Sequence, residues 1–328
     1  MLITTQTNPP RSLEELLPPG LAAKIDRLDV FSRRVFAGKL PGERRSKRRG
    51  RSVEFDDFRP YVAGDDLRHV DWNVYGRFER LIIKLFREEE DLALHLIIDA
   101  SASMGAGSEP GRGSAQEIPS KALYAHRLAM ALAYVGLVKN NRVSVALFGG
   151  AAAARTLRPV RGRTSLRRIS EFLLESLRSG ASNKSPDFNA EVRAIAARLS
   201  GRGIVVLLSD LLASDGAAGG LASLGAAEHG ALDAYCLQVL SPSELDPVRG
   251  AGMGLTGDLR LTDIETARGV EVTISPAAIA KYRENLAEFL DDCRGACRSR
   301  GVAHFLVPTD TPIDRLVIDS LRRGGMMR

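Results

Sequence analysis

The stretch LALHLIIDASASMG, residues 92–105, decides the fold class of this 328-residue chain. Its first seven residues are almost continuously apolar, which is typical of a strand buried on both faces of a parallel sheet. The strand ends in Asp99, and Ser101 and Ser103 follow at alternate positions. Because ligands of open parallel sheets bind where loops leave the carboxyl ends of strands, these side chains are the first candidates for a functional site.

Strands and helices alternate from residue 91 to the end of the chain. The predicted strands are Leu92–Ile98, Arg142–Phe148, Arg155–Arg158, Gly203–Leu208, Leu232–Leu240 and Ala303–Val307. The predicted helices cover about 119–139, 165–177, 187–199, 221–229, 276–300 and 314–323. This alternation predicts an α/β fold with a doubly wound, mostly parallel sheet covered by helices on both faces. Two strand-like pieces, Asp258–Glu265 and Val270–Ile274, interrupt it and predict a β-hairpin insertion.

The region before residue 91 has a different pattern. We expect residues 1–90 to form a small N-terminal accessory region and residues 91–328 to form the main domain. Apolar residues at three- and four-residue steps predict a helix over 11–37, which the Pro18–Pro19–Gly20 sequence must break early. From Val53 to Arg87, short extended pieces alternate with acidic and aromatic turns.

The acidic residues of that last segment are balanced by arginines. We interpret this balance as an internal ion-pair network in a short β-rich element. Three aromatic residues, Trp72, Tyr61 and Phe58, are predicted to supply the apolar contacts of the element. A functional surface is the alternative interpretation.

The charge of the chain is concentrated in one short run. Basic residues exceed acidic ones by 46 to 40, and the run Glu43–Arg51 holds six basic residues and one acid. A basic surface attracts phosphate, which makes nucleic-acid binding through residues 44–51 an alternative function. Single-strand grooves interleave aromatic residues for base stacking, however, and this run has none. We therefore favour an exposed docking strip for an acidic partner.

Several classes of protein are not expected. No stretch approaches the roughly 20 apolar residues that cross a bilayer. The sequence MLITTQTNPPRS lacks the basic and apolar regions of a signal peptide. The three cysteines, Cys236, Cys293 and Cys297, have no CxxC spacing and suit a reducing compartment better than a disulfide framework or a zinc site. We expect a cytoplasmic protein.

A second strand of the predicted sheet also ends in an acid. The segment IVVLLSDLL places Asp210 at the end of the most apolar strand, and the loop SGASNKSPDF offers Ser182 and Asn183. Hydroxyls, carboxylates and water are the ligands that a hard divalent cation prefers. Asp99, Ser101 and Ser103 therefore belong with these residues to one predicted cation site.

The residues Asp99-Ala100-Ser101-Ala102-Ser103 resemble the DxSxS element of the von Willebrand factor A fold, and Asp210 matches that family's later aspartate. The resemblance implies a metal-ion-dependent adhesion site. Its predicted ligands are Asp99, Ser101, Ser103, Ser182 and Asp210, and its ion is Mg²⁺, with Mn²⁺ as the alternative. Ser182 stands where the family has a threonine, and Thr164 is the weaker candidate for that position.

A longer resemblance covers the segment RRSKRRGRSVEFDDFRPYVAGDDLRHVDWNVYGR, residues 44–77. It is similar to the signature of a bacterial family of unknown function, number 58 in its naming series, in which this block precedes a von Willebrand A domain. The resemblance implies that the chain acts with a MoxR-type AAA+ ATPase, or with that ATPase's protein client, as a recruiting or chaperone-like partner. A partner's carboxylate would complete the coordination of the metal.

Motifs for catalysis are missing from the chain. It has no GxSxG elbow and no GxxxxGK[ST] phosphate loop, so we expect no serine hydrolase and no ATPase. A haloacid-dehalogenase-type phosphatase needs a second acid where this chain has Ser101. We therefore expect a binding protein that is not an enzyme and takes no small-molecule substrate. A metal-dependent hydrolase that uses the same residues is the alternative.

Overall fold

The computed structural model describes residues 10–32, 53–63, 65–88, 92–109, 117–150, 154–179, 187–213, 215–227, 231–247, 258–262, 269–273 and 275–328. The chain forms two compact units, one comprising Met1–Gly38 and Leu92–Arg328 and the other Lys39–Asp91. The boundary expected after residue 90 falls at the end of the smaller unit. Residues 10–32 belong to the larger unit, because Leu16, Ile25 and Val30 are part of its core.

A six-stranded sheet forms the centre of the larger unit, which confirms the prediction of a mixed α/β fold with a mostly parallel sheet. Its strands are β3 (Ala93–Asp99), β4 (Arg142–Phe148), β5 (Arg155–Val160), β6 (Gly203–Ser209), β7 (Leu232–Leu240) and β10 (Val302–Pro308). The strand order is β10-β7-β6-β3-β4-β5. All neighbours are parallel except β5, which is antiparallel to β4.

The chain reverses its direction of travel across the sheet at β3. From β3 it continues to β4 and β5 on one side, and it then returns to place β6, β7 and β10 on the other side. Right-handed crossovers in opposite directions put their helices on opposite faces, as is observed. The gap between the carboxyl ends of β3 and β6 is therefore the switch point at which doubly wound sheets bind ligands.

Helices cover both faces of the sheet. They are α1 (Leu13–Leu16), α2 (Pro19–Ile25), α4 (Lys121–Val138), α5 (Leu166–Ser179), α6 (Phe188–Ala196), α7 (Ala218–Gly225), α8 (Pro242–Leu245), α9 (Pro276–Arg298) and α10 (Ile313–Arg315), and the last continues as a π-helical segment at Leu316–Leu321. One apolar core lies between the sheet and α4 with α5, and the other lies between the sheet and α6, α7 and α9. Alternate strand residues enter opposite cores, as Leu96 and Ile97 do, which explains the continuous apolar sequence of β3.

The N-terminal helix is shorter than predicted. The expected break occurs at Pro18, but α2 ends at Ile25, and Val30 instead forms a β-bridge with Met327. Apolar spacing alone does not distinguish a continuous helix from a short helix followed by a β-bridge, because an apolar residue such as Val30 suits both. Residues 33–37 of the predicted helix lie outside the described part of the chain.

The smaller unit consists of a β-hairpin with a helix in its connection. Strands β1 (Val53–Pro60) and β2 (Ile82–Glu88) are antiparallel, and α3 (Trp72–Phe78) lies between them in sequence. The helix was not predicted. Asp71 caps it by accepting hydrogen bonds from the N–H groups of Asn73 and Val74.

Ion pairs form in this unit as predicted, but the aromatic residues do not pack as predicted. Arg59 pairs with Asp65, and Arg68 pairs with Asp66. Trp72 is 58% exposed and Phe58 is 46% exposed, whereas Tyr61 is half-buried. The apolar contacts predicted for Trp72 and Phe58 are therefore limited, because a hairpin with one short helix is too small to enclose their rings.

Two further predicted features can be compared with the structure. Strands β8 (Asp258–Thr262) and β9 (Gly269–Thr273) pair antiparallel, as expected for the hairpin insertion. No helix within the described ranges is both long and apolar enough to cross a membrane. The basic run 43–51 lies outside the described residues.

Candidate functional site

The predicted acids lie together at the switch point of the sheet. Asp99 is the last residue of β3, and Ser209, the last residue of β6, precedes Asp210. The two strands are neighbours in register, with Ile98 beside Leu208. The Ser209 hydroxyl donates a hydrogen bond of 2.6 Å to Asp99 Oδ2. Strand pairing therefore brings together residues that lie 110 positions apart in sequence.

A tight turn places both predicted serines beside Asp99. The Ser101 N–H donates to Asp99 Oδ1 over 2.9 Å, and the Ser101 and Ser103 hydroxyl oxygens are 3.0 Å apart. A 3₁₀ turn at Ser103–Gly105 follows. All three polar side chains are buried. One carboxylate and two hydroxyls thus converge within a single turn of the chain.

Gly149 lets the end of β4 approach this turn closely. Its φ is +73°, and a Cβ there would lie 3.0 Å from the Ser101 nitrogen and 3.2 Å from Asp99 Oδ1. Its N–H donates to Glu191 Oε2 over 3.0 Å. Glu191 lies in the first turn of α6, so this helix also contributes to the wall of the site.

The environment of Asp99 disfavours its negative charge. Burial, and after it the nearby charge of Asp210, raise the pKa of this carboxyl to about 7, although hydrogen bonds from Ser209 and Ser101 act in the opposite direction. Among the described residues, no lysine or arginine forms an ion pair with Asp99. A cation beside this carboxylate would relieve both the burial and the repulsion.

Asp210, in contrast, has a cation of its own. The Lys121 ammonium lies 2.8 Å from Asp210 Oδ2 and 2.5 Å from Glu244 Oε1, and its side chain is 0% exposed. Burial opposes the charge of Lys121, but the two carboxylates raise its pKa above the ordinary value. Three segments, the start of α4, the end of β6 and α8, meet at this ammonium group.

The backbone after Asp210 is strained. Leu211 has a φ of +61°, which is uncommon for a residue with a branched side chain. Its N–H donates to Ser209 Oγ, and the Leu212 N–H donates to Asp210 Oδ1. These bonds hold the turn in place, and the Leu212 side chain remains 45% exposed beside it. Such strain is concentrated at functional sites.

Ser182, the fifth predicted ligand, lies in the segment 180–186, outside the residues that the structure describes. The flanking positions nevertheless lie at the carboxyl edge of the sheet. Glu175 pairs with Arg155 next to the end of β4, and the Phe188 ring packs edge-on against Phe148.

Thr164, the alternative to Ser182, lies near the amino ends of the parallel strands, whereas Asp99 lies at their carboxyl ends. It follows β5, whose last residue pairs with Val143 near the start of β4, and Asp99 pairs with Phe148 at the end of β4. The adjacent Arg163 contacts Tyr134, in the last turns of α4, whereas Lys121 begins that helix at the site. The antiparallel course of β5 separates Thr164 from Asp99.

The donor set fits a hard divalent cation. Asp99, Ser101 and Ser103 supply a carboxylate and two neutral hydroxyls, which Mg²⁺ and Mn²⁺ accept. Within the described ranges, no three His, Cys, Asp or Glu side chains are grouped as metal ligands. An ion at Asp99 would therefore be held by few charged groups and would keep positions for water or for an outside ligand.

Several residues of the site were not predicted from the sequence, namely Lys121, Glu244, Ser209, Gly149 and Glu191. Lys121 has a weak signal, since it is the charged first residue of a largely apolar helix. Ser241 and Glu244 have the three-residue spacing of a capping box, which α8 forms. The spatial convergence of these groups has no signal in the sequence.

Comparison with known proteins identifies a family and distant relatives. The model of the family described as "Protein of unknown function DUF58" matches residues 57–289. "Uncharacterized protein Mb1516" of Mycobacterium bovis and "Uncharacterized protein Rv1480" of Mycobacterium tuberculosis are each 26% identical over 294 residues. Each match covers 87% of this chain and 86% of the relative.

Two solved structures show a weak overall likeness. The conserved hypothetical protein BatB from Bacteroides thetaiotaomicron is 15% identical, with a TM-score of 0.38 over 72% of this chain and 98% of its own. An aerotolerance-related membrane protein from Bacteroides fragilis is 13% identical, with a TM-score of 0.36 over 71% and 97%.

Proposed function

The chain belongs to the DUF58 family, and from that premise we propose that it is a metal-dependent protein–protein interaction module rather than an enzyme. We assign its larger unit to the von Willebrand A type. The DxSxS sequence of residues 99–103, at the end of the strand where the sheet reverses its direction of travel, supports that assignment.

One observation carries the proposal. Asp99 is a buried carboxylate whose hydrogen-bond donors within the described part of the chain are all neutral, and it lies beside two serine hydroxyls and next to a second acid. A buried charge is unfavourable unless it is paired. An Mg²⁺ or Mn²⁺ ion held by Asp99, Ser101 and Ser103 would supply that pairing.

The bound ion would supply an electrophilic position for an outside ligand. Asp210 acts beside it, and Ser182 completes the protein's share of the ligands by family resemblance. Because the hydroxyls carry no charge, the ion keeps enough positive charge to attract an aspartate or glutamate of a partner. Association would then require the metal and would be reversible by chelation.

The partner in this proposal is a MoxR-type AAA+ ATPase, its protein client, or both, which follows from the family resemblance alone. We place the interaction in the cytoplasm. Cys236, Cys293 and Cys297 are buried free thiols, which suits a reducing compartment.

A binding experiment tests the proposal. A MoxR-type ATPase from the same genome is passed over the immobilised chain in Mg²⁺ and then in EDTA. We expect binding in Mg²⁺ alone, and a loss of at least about tenfold in affinity for Asp99→Asn, because one charge-assisted contact is worth about that much. The matched control is Asp292→Asn, an exposed acid on α9. Equal binding by Asp99→Asn in Mg²⁺ and in EDTA would contradict the mechanism.

A further inference from the structure

Lys121 is a lysine with no solvent exposure in a site that we propose to bind a cation. Its Nζ contacts Asp210 Oδ2 at 2.8 Å and Glu244 Oε1 at 2.5 Å. Lysine is almost never fully buried unless it is paired. The ammonium group is therefore a permanent positive charge beside Asp210.

The two aspartates of the site differ in what surrounds them. For Asp210, Lys121 binds Oδ2, the Leu212 N–H binds Oδ1, and Gln238 Nε2 binds the backbone carbonyl. Among the described residues, the hydrogen bonds to Asp99 come from the Ser101 N–H and the Ser209 hydroxyl. Asp210 thus shares a cation with Glu244, whereas Asp99 has no cationic partner within the described ranges.

The contacts of Lys121 also fix the rim of the site. Its N–H donates to the Ala106 carbonyl, and its partner Glu244 accepts hydrogen bonds from the N–H and hydroxyl of Ser241. Nearby, the Ser243 N–H donates to Glu109 Oε1. These bonds join the loop after Ser103 to α8, so the position of the ammonium group is rigidly defined.

We propose that Lys121 is a built-in cation of the site, which occupies Asp210 and leaves Asp99 as the one carboxylate available to a divalent ion. Affinity for a hard cation rises with the number of charged ligands, and a nearby positive charge opposes it. Lys121 therefore keeps the Mg²⁺ affinity of the free protein low, and a partner's carboxylate supplies the missing charge. This inference rests on the proposed function, since it concerns the same ion.

The test is a calorimetric titration of the full chain with Mn²⁺ and, separately, with Mg²⁺. Lys121→Met keeps most of the side-chain length and removes the charge, so we expect the affinity to rise by at least about tenfold. A merely structural role would give weaker binding or no change. The control is Lys24→Met, which removes an exposed lysine paired with Asp314 and should leave the affinity unchanged.

A double-mutant cycle tests whether the removal of Lys121 frees the Asp210 carboxylate to bind the ion. In the native background, Asp210→Asn should weaken binding less than Asp99→Asn does. In the Lys121→Met background, Asp210→Asn should abolish the gain in affinity, because Asp210 is then the added ligand. A gain that persists in Lys121→Met/Asp210→Asn would overturn the assignment.

A second variant keeps the test possible if Lys121→Met does not fold. Removing Lys121 leaves the buried Asp210 and the partly buried Glu244 without their shared cation, which is strongly destabilising. Lys121→Met/Glu244→Gln removes one of these two charges and serves if the single variant does not fold. Folding of Lys121→Met in Mg²⁺ but not in EDTA would also support the inference.

The outcomes separate the two proposals. If the native chain binds the ion and Lys121→Met binds it equally or more weakly, the inference fails and the proposed function stands. If only Lys121→Met binds, the inference stands, and partner binding in Mg²⁺ and in EDTA decides the proposed function. If neither chain binds either ion, the inference fails, and the same partner-binding experiment decides the proposed function.

Discussion

Gly149 determines how closely β4 can end beside Asp99. Its φ is positive, and a Cβ added to it would lie only 3.0 Å from the Ser101 nitrogen, so that a larger residue would require the turn to shift. Gly162 has the same φ of +73° but has nothing within 4 Å of an added Cβ. Substitutions at the two glycines therefore distinguish the effect of backbone strain from the effect of steric contact at the site.

We expect Gly149→Ala to weaken Mn²⁺ binding, because the added methyl group displaces the turn that holds Ser101 against Asp99. Gly162→Ala should leave the affinity unchanged. Both substitutions should lower the free energy of unfolding by about 1–3 kcal/mol through the backbone conformation alone. Calorimetric titration and urea unfolding measure the two effects. Equal metal affinity in both variants would show that the approach of Gly149 is not required.

Helix α4 carries polar residues into the core because it is buried on nearly all sides. Lys121 at its start is paired, as described above. His126, one turn later, donates from Nδ1 to the Ala122 carbonyl over 2.7 Å. Its Nε2 is buried with no hydrogen-bond partner among the described residues. Burial lowers the pKa of His126 to about 4, because protonation would place a second N–H in apolar surroundings.

His126 should therefore make the protein acid-sensitive. Its folded pKa lies below the unfolded value of 6.5, so its contribution to stability is present above pH 6.5 and is lost as the pH falls to about 4. Over that window we expect His126→Met to gain about 3 kcal/mol relative to the native chain. Urea unfolding of both proteins from pH 7 to pH 4 measures the difference. Parallel pH profiles would contradict the assigned pKa.

Most of the exposed aromatic residues in the described ranges lie in the smaller unit, and Tyr282 is the exception. Within the described ranges, the exposed aromatic side chains there are Phe58, Trp72, Tyr75 and Phe78. Trp72 is the only tryptophan of the chain, and its ring meets Tyr75 edge-on at 6.1 Å. Tryptophan fluorescence therefore reports on the smaller unit and not on the sheet.

We expect the native emission of Trp72 to be close to that of the unfolded chain and to be readily quenched by iodide, because 58% of the residue is exposed. The fluorescence change on unfolding in guanidinium chloride should be small, while far-ultraviolet circular dichroism shows the loss of the sheet. Trp72→Phe should change the free energy of unfolding by less than about 0.5 kcal/mol. A blue-shifted native emission that resists iodide would show that Trp72 is covered.

The sequence by itself determined the fold class and most of the elements from residue 91 onward. The apolar strands and amphipathic helices from residue 91 onward specify a buried parallel sheet, because only helices on both faces can cover such strands. It also identified the polar residues that follow β3 and β6. Turn geometry acts locally, so Asp99, Ser101 and Ser103 could be placed together from their spacing alone.

Only the tertiary structure decided which groups meet at that site. Strand order and helix packing bring Lys121 to Asp210 and Glu244, and Ser209 to Asp99. These long-range contacts leave no periodic signal in the chain. The antiparallel direction of β5 likewise set Thr164 apart from Asp99. Composition counts every charge equally, but burial makes a single lysine and two strand-end aspartates decisive, because charges interact most strongly where water is excluded.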